Sequence, residues 1–380
     1  MPVLSYLNTC DFDFGALARL GDHMKRLGIE RPMICTDNGI KAAGILDTVE
    51  AALPGGKSNA IYTDTPPNPT EDAVLEAVKI YKDAGCDGVL ALGGGSSMDL
   101  AKGVALLATH EAPLAQYGAG ERGSGKIGEL APLIAIPTTS GTGSEVSVGA
   151  VVILNNGRKD TFASPHLIPK VAICDPELTL GLPAHITAAT GMDAVTHCIE
   201  AVLSLVVNPP AEGIGYDGLE RAIGMGHLEA VVKDGSDRDA RWNMMMASTE
   251  GAFAFVKGLG SVHAMSHAAG RIKELKLHHG TLNAVILPTI LRYNEEVCAD
   301  KYERLRRAMR VAPTADLADE IEALNGRLGL PANLKEMGVT EDMMDGLVQY
   351  SLSDLANFTN PRPVDAAGYE MLFKQAMGIA

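Results

Sequence analysis

Asp193 and His197 stand four residues apart in GMDAVTH, a spacing that puts both side chains on one face of a helix. A second such pair, His263 and His267, lies in GSVHAMSH, and His279 precedes a glycine and an apolar run in HHGTLNAV. Asp193, His197, His263 and His279 together offer one carboxylate and three imidazoles. That donor set suits Fe(II), Zn(II), Co(II) or Ni(II) and suits Mg(II) or Ca(II) poorly. An ion held with one position open can polarise an oxygen. Taken singly, an Asp–His pair on a helix is commonly no more than a satisfied pair. Two of the segments, AATGMDAVTHCIEAVL and KGLGSVHAMSHAAG, are apolar and glycine-flanked. Their polar side chains therefore need buried partners, and a shared metal is one way to supply them.

Two loops carry a different chemistry. Gly93, Gly94, Gly95, Ser96 and Ser97 follow the apolar run DGVLAL and open a helical pattern. Glycines there let backbone N–H groups approach a phosphate, and a helix N-terminus adds positive potential. The pattern is neither GxGxxG nor GxxxxGK[ST], so neither standard fingerprint is met. The second loop, PTTSGTGSE from Pro137 to Glu145, is dense in hydroxyls and glycines and also follows a strand-like run. Two such loops at the carboxyl ends of strands in one sheet point to a dinucleotide crevice. Asp37, after RPMICT, is either a simple turn residue of DNG or an acceptor for both hydroxyls of an adenosine ribose. In the second role it would repel a 2′-phosphate and favour NAD over NADP.

The elements that must position these residues change character along the chain. RPMICTD, DGVLALGGG, LIAIPTT and VAICDPE read as buried strands. TEDAVLEAVKIYKDAG reads as a helix capped by Thr70, stopped by Gly85 and striped by Val74, Val78 and Tyr81. SSMDLAKGVALLATH reads as another helix, and YGAGERGSGKIGE as a charged surface loop. Strands alternating with helices indicate a parallel sheet covered on both faces. After Pro183 helical patterns dominate, and Met244, Met245, Met246 and Met265 read as irregular core packing. The boundary is therefore placed near residue 182.

Composition excludes several classes. The 380 residues favour two domains. A formal charge of −15 argues against a nucleic-acid backbone or an anionic membrane as main partner. Six scattered cysteines form no CxxC, which fits a reducing compartment. MPVLSYLNTCDFDFG has neither the basic start nor the long apolar run of a signal peptide, and no stretch approaches the roughly 20 apolar residues of a membrane span. We expect a cytoplasmic homo-oligomer, a dimer, acting on a small molecule, with neither nucleic acid nor membrane as partner.

The metal set, GGGSSMDLAK, PTTSGTGSE and HAMSHAAG together resemble the iron-containing (group III) alcohol dehydrogenase family, in order and over nearly the whole chain. The resemblance implies α/β plus all-α architecture: a Rossmann-like dinucleotide-binding domain over 1–182 and an all-helical metal-binding domain over 183–380. It implies that Asp193, His197, His263 and His279 bind Fe(II) or Zn(II). It implies NAD contacts from Gly94, Gly95, Ser96, Asp99, Thr138, Thr139, Thr142, Ser144 and Lys159, with Asn68 and Asp37 as further nucleotide positions. The implied activity is reversible hydride transfer between NAD and a primary alcohol–aldehyde pair. CDPELTLGLPAHITAATGMDAVTHCIEA, NPPAEGIGYDGLERA and LHHGTLNAVILP are most similar to the 4-hydroxybutyrate dehydrogenase branch. A hydroxy acid needs a cation for its carboxylate. Lys257, six residues before His263, is expected either in that role or as a snorkelling surface lysine, with Arg271 and Lys273 as lesser candidates. His267 is expected to pass a proton or to pack near the nicotinamide, or else to be a core histidine. The pattern departs from the family at DFDFGALARL, where only Phe14 and Gly15 of FGxGA are in place, and in the longer interval from His267 to His279. The alternatives are a general short-chain alcohol dehydrogenase, a dehydroquinate-synthase-like lyase and a non-catalytic nucleotide sensor.

Overall fold

The computed structural model describes residues 8–379, and the Lys273 side chain also lies outside the description. The signal-peptide reading rests in part on residues 1–7, which lie outside the described residues. The described chain forms two compact units, one of residues 8–139 and 144–181, the other of residues 140–143 and 182–379.

The first unit contains, in chain order, β1 (Thr9–Phe12), α1 (Leu20–Leu27), β2 (Pro32–Cys35), α2 (Asn38–Ala42), α3 (Ile45–Ala52), β3 (Ala60–Tyr62), α4 (Glu71–Asp83), β4 (Gly88–Gly93), α5 (Gly95–Thr109), β5 (Leu133–Pro137), β6 (Gly149–Ile153), β7 (Lys159–Ala163) and β8 (Val171–Cys174). Six strands form one parallel sheet in the order β1-β8-β5-β4-β2-β3. The strands are apolar on both faces because both faces are covered. Val89 and Ala91 join Met33, Leu133 and Ala135 under α4 and α5, where Val74, Val78, Tyr81 and Val104 meet them. Leu90 and Leu92 join Ile34, Ile134 and Ile136 on the other side, under Leu20 and Met24 of α1 and Leu46 and Val49 of α3. Thr70 caps α4 by accepting from the Ala73 N–H, and Gly85, at φ +62°, ends it.

Register places the loops. Gly93 pairs with Pro137, so the glycine loop after β4 and the hydroxyl loop after β5 leave the sheet side by side. β2 lies on the other flank of β4 and delivers Asp37 to the same end. The antiparallel ribbon of β6 and β7 is absent from the sequence reading. The glycine-rich stretch expected as a surface loop instead winds into short 3-10 turns, Ala119–Glu121 and Gly123–Lys126, with Gly120 N–H donating to Asp160.

The second unit is helical: α6 (Ala184–Leu203), α7 (Pro209–Leu219), α8 (His227–Lys233), α9 (Arg238–Ala254), α10 (Ser261–Ala269), α11 (His279–Asn294), α12 (Ala299–Ala308), α13 (Leu317–Arg327), α14 (Met344–Ser353) and α15 (Ala366–Ala376). α6 runs through its middle and packs on α7, α9 and α11. From Thr187 to Leu203 every α6 residue is buried, the polar ones included. Met244, Met245 and Met265 fill the core as expected of flexible apolar chains, while Met246 is half-buried. No helix among the described residues is long and apolar enough to cross a membrane.

The docking of α11 on α6 depends on Gly280. A Cβ there would lie 2.1 Å from the Ala189 carbonyl oxygen of α6. We predict that Gly280→Ala costs about 1–3 kcal/mol, because neither helix backbone can yield in place. Urea unfolding checks this, and an unchanged midpoint would refute so tight a docking.

Candidate active site

Three helices of the helical unit bring the predicted ligands together. α6 carries Asp193 and His197 on one stripe, α10 carries His263 in its first turn, and α11 begins at His279. Asp193, His197 and His263 place one ligand atom each within 4.8 Å of one another, all buried. Asp193 Oδ1 is the common point, 3.8 Å from His197 Nε2, 4.0 Å from His263 Nε2 and 3.6 Å from His279 Nε2. Four ligands about 2.1 Å from one ion would stand roughly 3.4 Å apart in a tetrahedron, a few tenths of an ångström closer than these separations. His279 stands outside the tight group of three and is the most exposed of the four side chains, at 28%. The His197 and His263 rings stack at 4.8 Å, and Phe255 covers His197 edge-on.

The tautomers suit a cation. His197 Nδ1–H donates to the Gly141 carbonyl at 3.2 Å, and His263 Nδ1–H donates to Glu200 Oε2 at 2.6 Å. Each bond leaves the Nε2 lone pair facing Asp193. Asn283, one turn after His279 on α11, reaches into the same focus. Its Nδ2 donates to Asp193 Oδ1 at 2.7 Å and lies 3.2 Å from both His263 Nε2 and His279 Nε2, while its buried Oδ1 has no partner. A focus made of acceptors, with an amide N–H filling it and an oxygen left over, fits a divalent ion. Burial lowers the His197 imidazole to about 4 against the pull of Asp193, so it is neutral at pH 7. Burial alone would also lower His263, but its bond to Glu200 and the charges of Glu200 and Asp193 outweigh it and raise that imidazole.

His267 borders the cluster. Its ring stacks on His279 at 5.3 Å and meets His263 edge-on at 5.7 Å. Its Nδ1 is bonded to Asp354 Oδ2 at 2.9 Å. Lys257 does not join this group. It is 1% exposed, and its ammonium donates to Glu212 Oε1 at 2.5 Å and to the Val202 carbonyl. Neither expectation for it survives, because the side chain is committed to a buried ion pair and is therefore neither a carboxylate anchor nor a surface lysine. Arg271, four residues after His267, lies over the Tyr350 ring with its guanidinium carbon 3.5 Å from the centroid.

Within the α/β unit most of the residues expected to meet a nucleotide also cluster. Thr138 N–H donates to the Gly93 carbonyl, and a Cβ on Gly94 would meet Thr139 at 3.3 Å. Gly95 begins α5. Ser96 Oγ accepts from the Asn68 N–H, and Lys159 Nζ donates to Asn68 Oδ1 at 2.8 Å. Asp99 accepts from Ser144 Oγ and from the Val151 N–H, which ties the glycine loop to β6. Asp37 Oδ1 caps α2 at Gly39 and Ile40, while its Oδ2 accepts from Ser97 Oγ. Both the turn role and a place beside the glycine loop thus describe it. Thr142 lies in residues 140–143, which belong to the helical unit. Thr138 Oγ1 and Thr139 Oγ1 are buried without partners, which suits a bound group rich in acceptors such as a pyrophosphate.

Glu200, Asn283, Asp354 and the Gly141 carbonyl are absent from the sequence reading. Glu200 was within reach of it, since 193, 197 and 200 share one helical stripe. Nothing local signals the Asp354 or Gly141 contacts.

A parallel sheet with a glycine loop at its centre and a carboxylate–imidazole cluster on helices define a metal- and dinucleotide-dependent enzyme. Two family models match: iron-containing alcohol dehydrogenase over residues 9–176, and the C-terminal part of the Fe-containing alcohol dehydrogenase family over 187–377. The chain belongs to that family and is an NAD-dependent metal alcohol oxidoreductase. It is 52% identical to 4-hydroxybutyrate dehydrogenase of Cupriavidus necator, over 99% of this chain and all of that one. It is 34% identical to 1,3-propanediol dehydrogenase of Klebsiella pneumoniae over 96% of each. Among solved structures, sulfoacetaldehyde reductase from Bifidobacterium kashiwanohense in complex with NAD+ matches with a TM-score of 0.89 at 28% identity, over all of both chains.

The histidine shifts set a pH dependence. His197 stays unprotonated far below neutrality, whereas His263 is raised and takes a proton first. A protonated Nε2 cannot bind metal. Zn(II) affinity should therefore fall as pH drops through the His263 value, roughly tenfold per unit, with uptake of metal releasing one proton. Calorimetry in buffers of different ionisation enthalpy measures the released proton. A Zn(II) affinity that stays unchanged as the pH falls well below neutrality would contradict the assignment.

Proposed function

We propose that the chain interconverts an ω-hydroxy acid, 4-hydroxybutyrate or a similar compound, and its aldehyde, with Asp193, His197, His263 and His279 holding Fe(II) or Zn(II). The observation that carries this reading is the convergence of three Nε2 lone pairs on Asp193 Oδ1, two of them with Nδ1 tied down. Bound there, a divalent ion supplies Lewis acidity toward an alcohol or carbonyl oxygen, and NAD supplies the hydride acceptor.

The chain's own residues orient, bind and move protons. Gly94, Gly95, Ser96, Thr138 and Thr139 offer backbone and hydroxyl donors to the pyrophosphate. Asp99, Ser144 and Lys159 support that cradle, Lys159 through Asn68, and Thr142 follows in the same hydroxyl-rich segment. Asp37 serves the adenosine ribose. His267 has Nδ1 bonded to Asp354, so Nε2 is the nitrogen we assign to taking and returning the substrate proton. With Lys257 paired to Glu212, we assign the substrate carboxylate to Arg271, which Tyr350 supports from one face. Six free thiols are in keeping with a reducing, cytoplasmic setting. The full-length likeness to a hydroxy-acid enzyme supports the substrate class, and the diol enzyme supplies the rival reading of a neutral alcohol.

The test is a panel of ω-hydroxy acids, diols and simple alcohols with NAD and added Fe(II) or Zn(II), read as NADH formed. We expect the hydroxy acids to give the highest kcat/KM, and His263→Ala to lose about two orders of magnitude or more. Product without net NADH would indicate lyase chemistry. Arg271→Ala should raise KM for hydroxy acids about tenfold or more and spare neutral alcohols. An equal loss on both classes would remove Arg271 from the carboxylate role.

A further inference from the structure

α10 begins without a cap of its own. Its N-cap is Gly260, which has no side chain to offer, yet the first turn is buried. The first N–H groups of a helix have no partner within it. Here they are met from other parts of the chain. Ser261 N–H donates to Asn360 Oδ1 at 3.1 Å, Val262 N–H to Glu200 Oε1 at 2.7 Å and His263 N–H to Glu200 Oε2 at 3.3 Å. The same Oε2 accepts the His263 Nδ1–H at 2.6 Å. Glu200 is 3% exposed and sits on α6 one turn beyond His197.

We infer that Glu200 is the positioning residue of the metal centre: one buried carboxylate caps α10 and holds the His263 ring, so that α6, already carrying two ligands, also aims the third. The inference rests on the reading of Asp193, His197, His263 and His279 as metal ligands. Its physics is straightforward. The unpaired N–H groups at the start of α10 call for an acceptor at this point, and Glu200 supplies two oxygens. A carboxylate accepting from Nδ1–H leaves the proton off Nε2 and raises the basicity of that nitrogen toward metal. Because two backbone N–H groups hold the same carboxylate, its orientation is set by the helix rather than by the ring alone. The geometry also accounts for a glycine before the helix. A Cβ on Gly260 would lie 2.7 Å from Glu200 Oε1 and 2.8 Å from Asn360 Oδ1, displacing both caps.

Two variants that remove no ligand test the inference. All three partners of Glu200 are donors, so in Glu200→Gln the amide NH2 must face an N–H whichever way it turns. Gly260→Ala keeps the Glu200 side chain and every ligand and shifts the two caps, the Glu200 carboxylate and the Asn360 amide. Each should weaken Zn(II) and Co(II) binding about 10- to 100-fold, read by competition with a chromophoric chelator, and alter the visible spectrum of the Co(II) protein. NAD affinity, measured by calorimetry, should stay at the wild-type value. Glu200→Asp, with charge kept and reach shortened, should fall between. A carboxylate with a purely structural role would lower the melting temperature of the metal-free protein and leave metal affinity and the Co(II) spectrum unmoved. If wild type binds metal and the folded variants match it within about threefold, the role of Glu200 is overturned. If Glu200→Gln does not fold, Gly260→Ala alone decides on the same threshold. A wild-type protein that binds no Zn(II) or Co(II) would overturn the metal-centre reading, and this inference with it.

Discussion

A carboxylate in the middle of a buried helix is the constraint around which the helical unit is organised. Asp193 is 2% exposed, and removing an ion from water costs several kcal/mol after relaxation. Its oxygen accepts from the Asn283 amide, and imidazole nitrogens on three helices face the same point, where a shared cation would complete the compensation. Each of those groups has to arrive from a fixed direction, so α6, α10 and α11 cannot slide past one another. The close approach at Gly280, the trans capping of α10 and the stacked imidazoles are consequences of one demand: a polar focus must be complete where water does not reach.

The α/β unit meets a different demand with a different device. Its loops emerge at the carboxyl ends of adjacent parallel strands, where backbone N–H groups and hydroxyls point away from the sheet. Rigidity comes from ties behind the loops: Asp99 to Ser144 and Val151, Lys102 to the Ser147 and Gly149 carbonyls, Lys159 to Asn68. The front is left with unpartnered threonine hydroxyls. Asp99 and Lys159, expected from the sequence to contact a cofactor, are thus bonded to neighbouring loop residues of the protein itself.

Charge in sequence says little about where a charge is spent. Lys257 lies six residues from His263, yet burial and Glu212 govern it, with Lys301 also close to the same carboxylate. Burial lowers the Lys257 ammonium, with Glu212 opposing that shift, as in a buried ion pair whose partner is indispensable. Arg271 and His267, by contrast, pair across the seam between α10 and α14 with Tyr350 and Asp354, residues separated from them by about eighty positions of chain.

What could be read without coordinates was local or periodic. Thr70 and Gly85 bound α4 because caps and left-handed turns act over four residues. β4 running into the glycine loop and α5 followed from an apolar run ending in Gly-Gly-Gly. The i, i+4 spacing of Asp193 and His197 already put two candidate ligands on one face. The tertiary structure decided everything that needs two distant segments to meet. It committed Lys257 to Glu212 and brought Glu200 to the first turn of α10. A hydrogen bond or an ion pair acts over about 3 Å. Which residues come that close across sixty or ninety positions of chain is settled by how whole helices and strands pack, and no short stretch of residues carries that information.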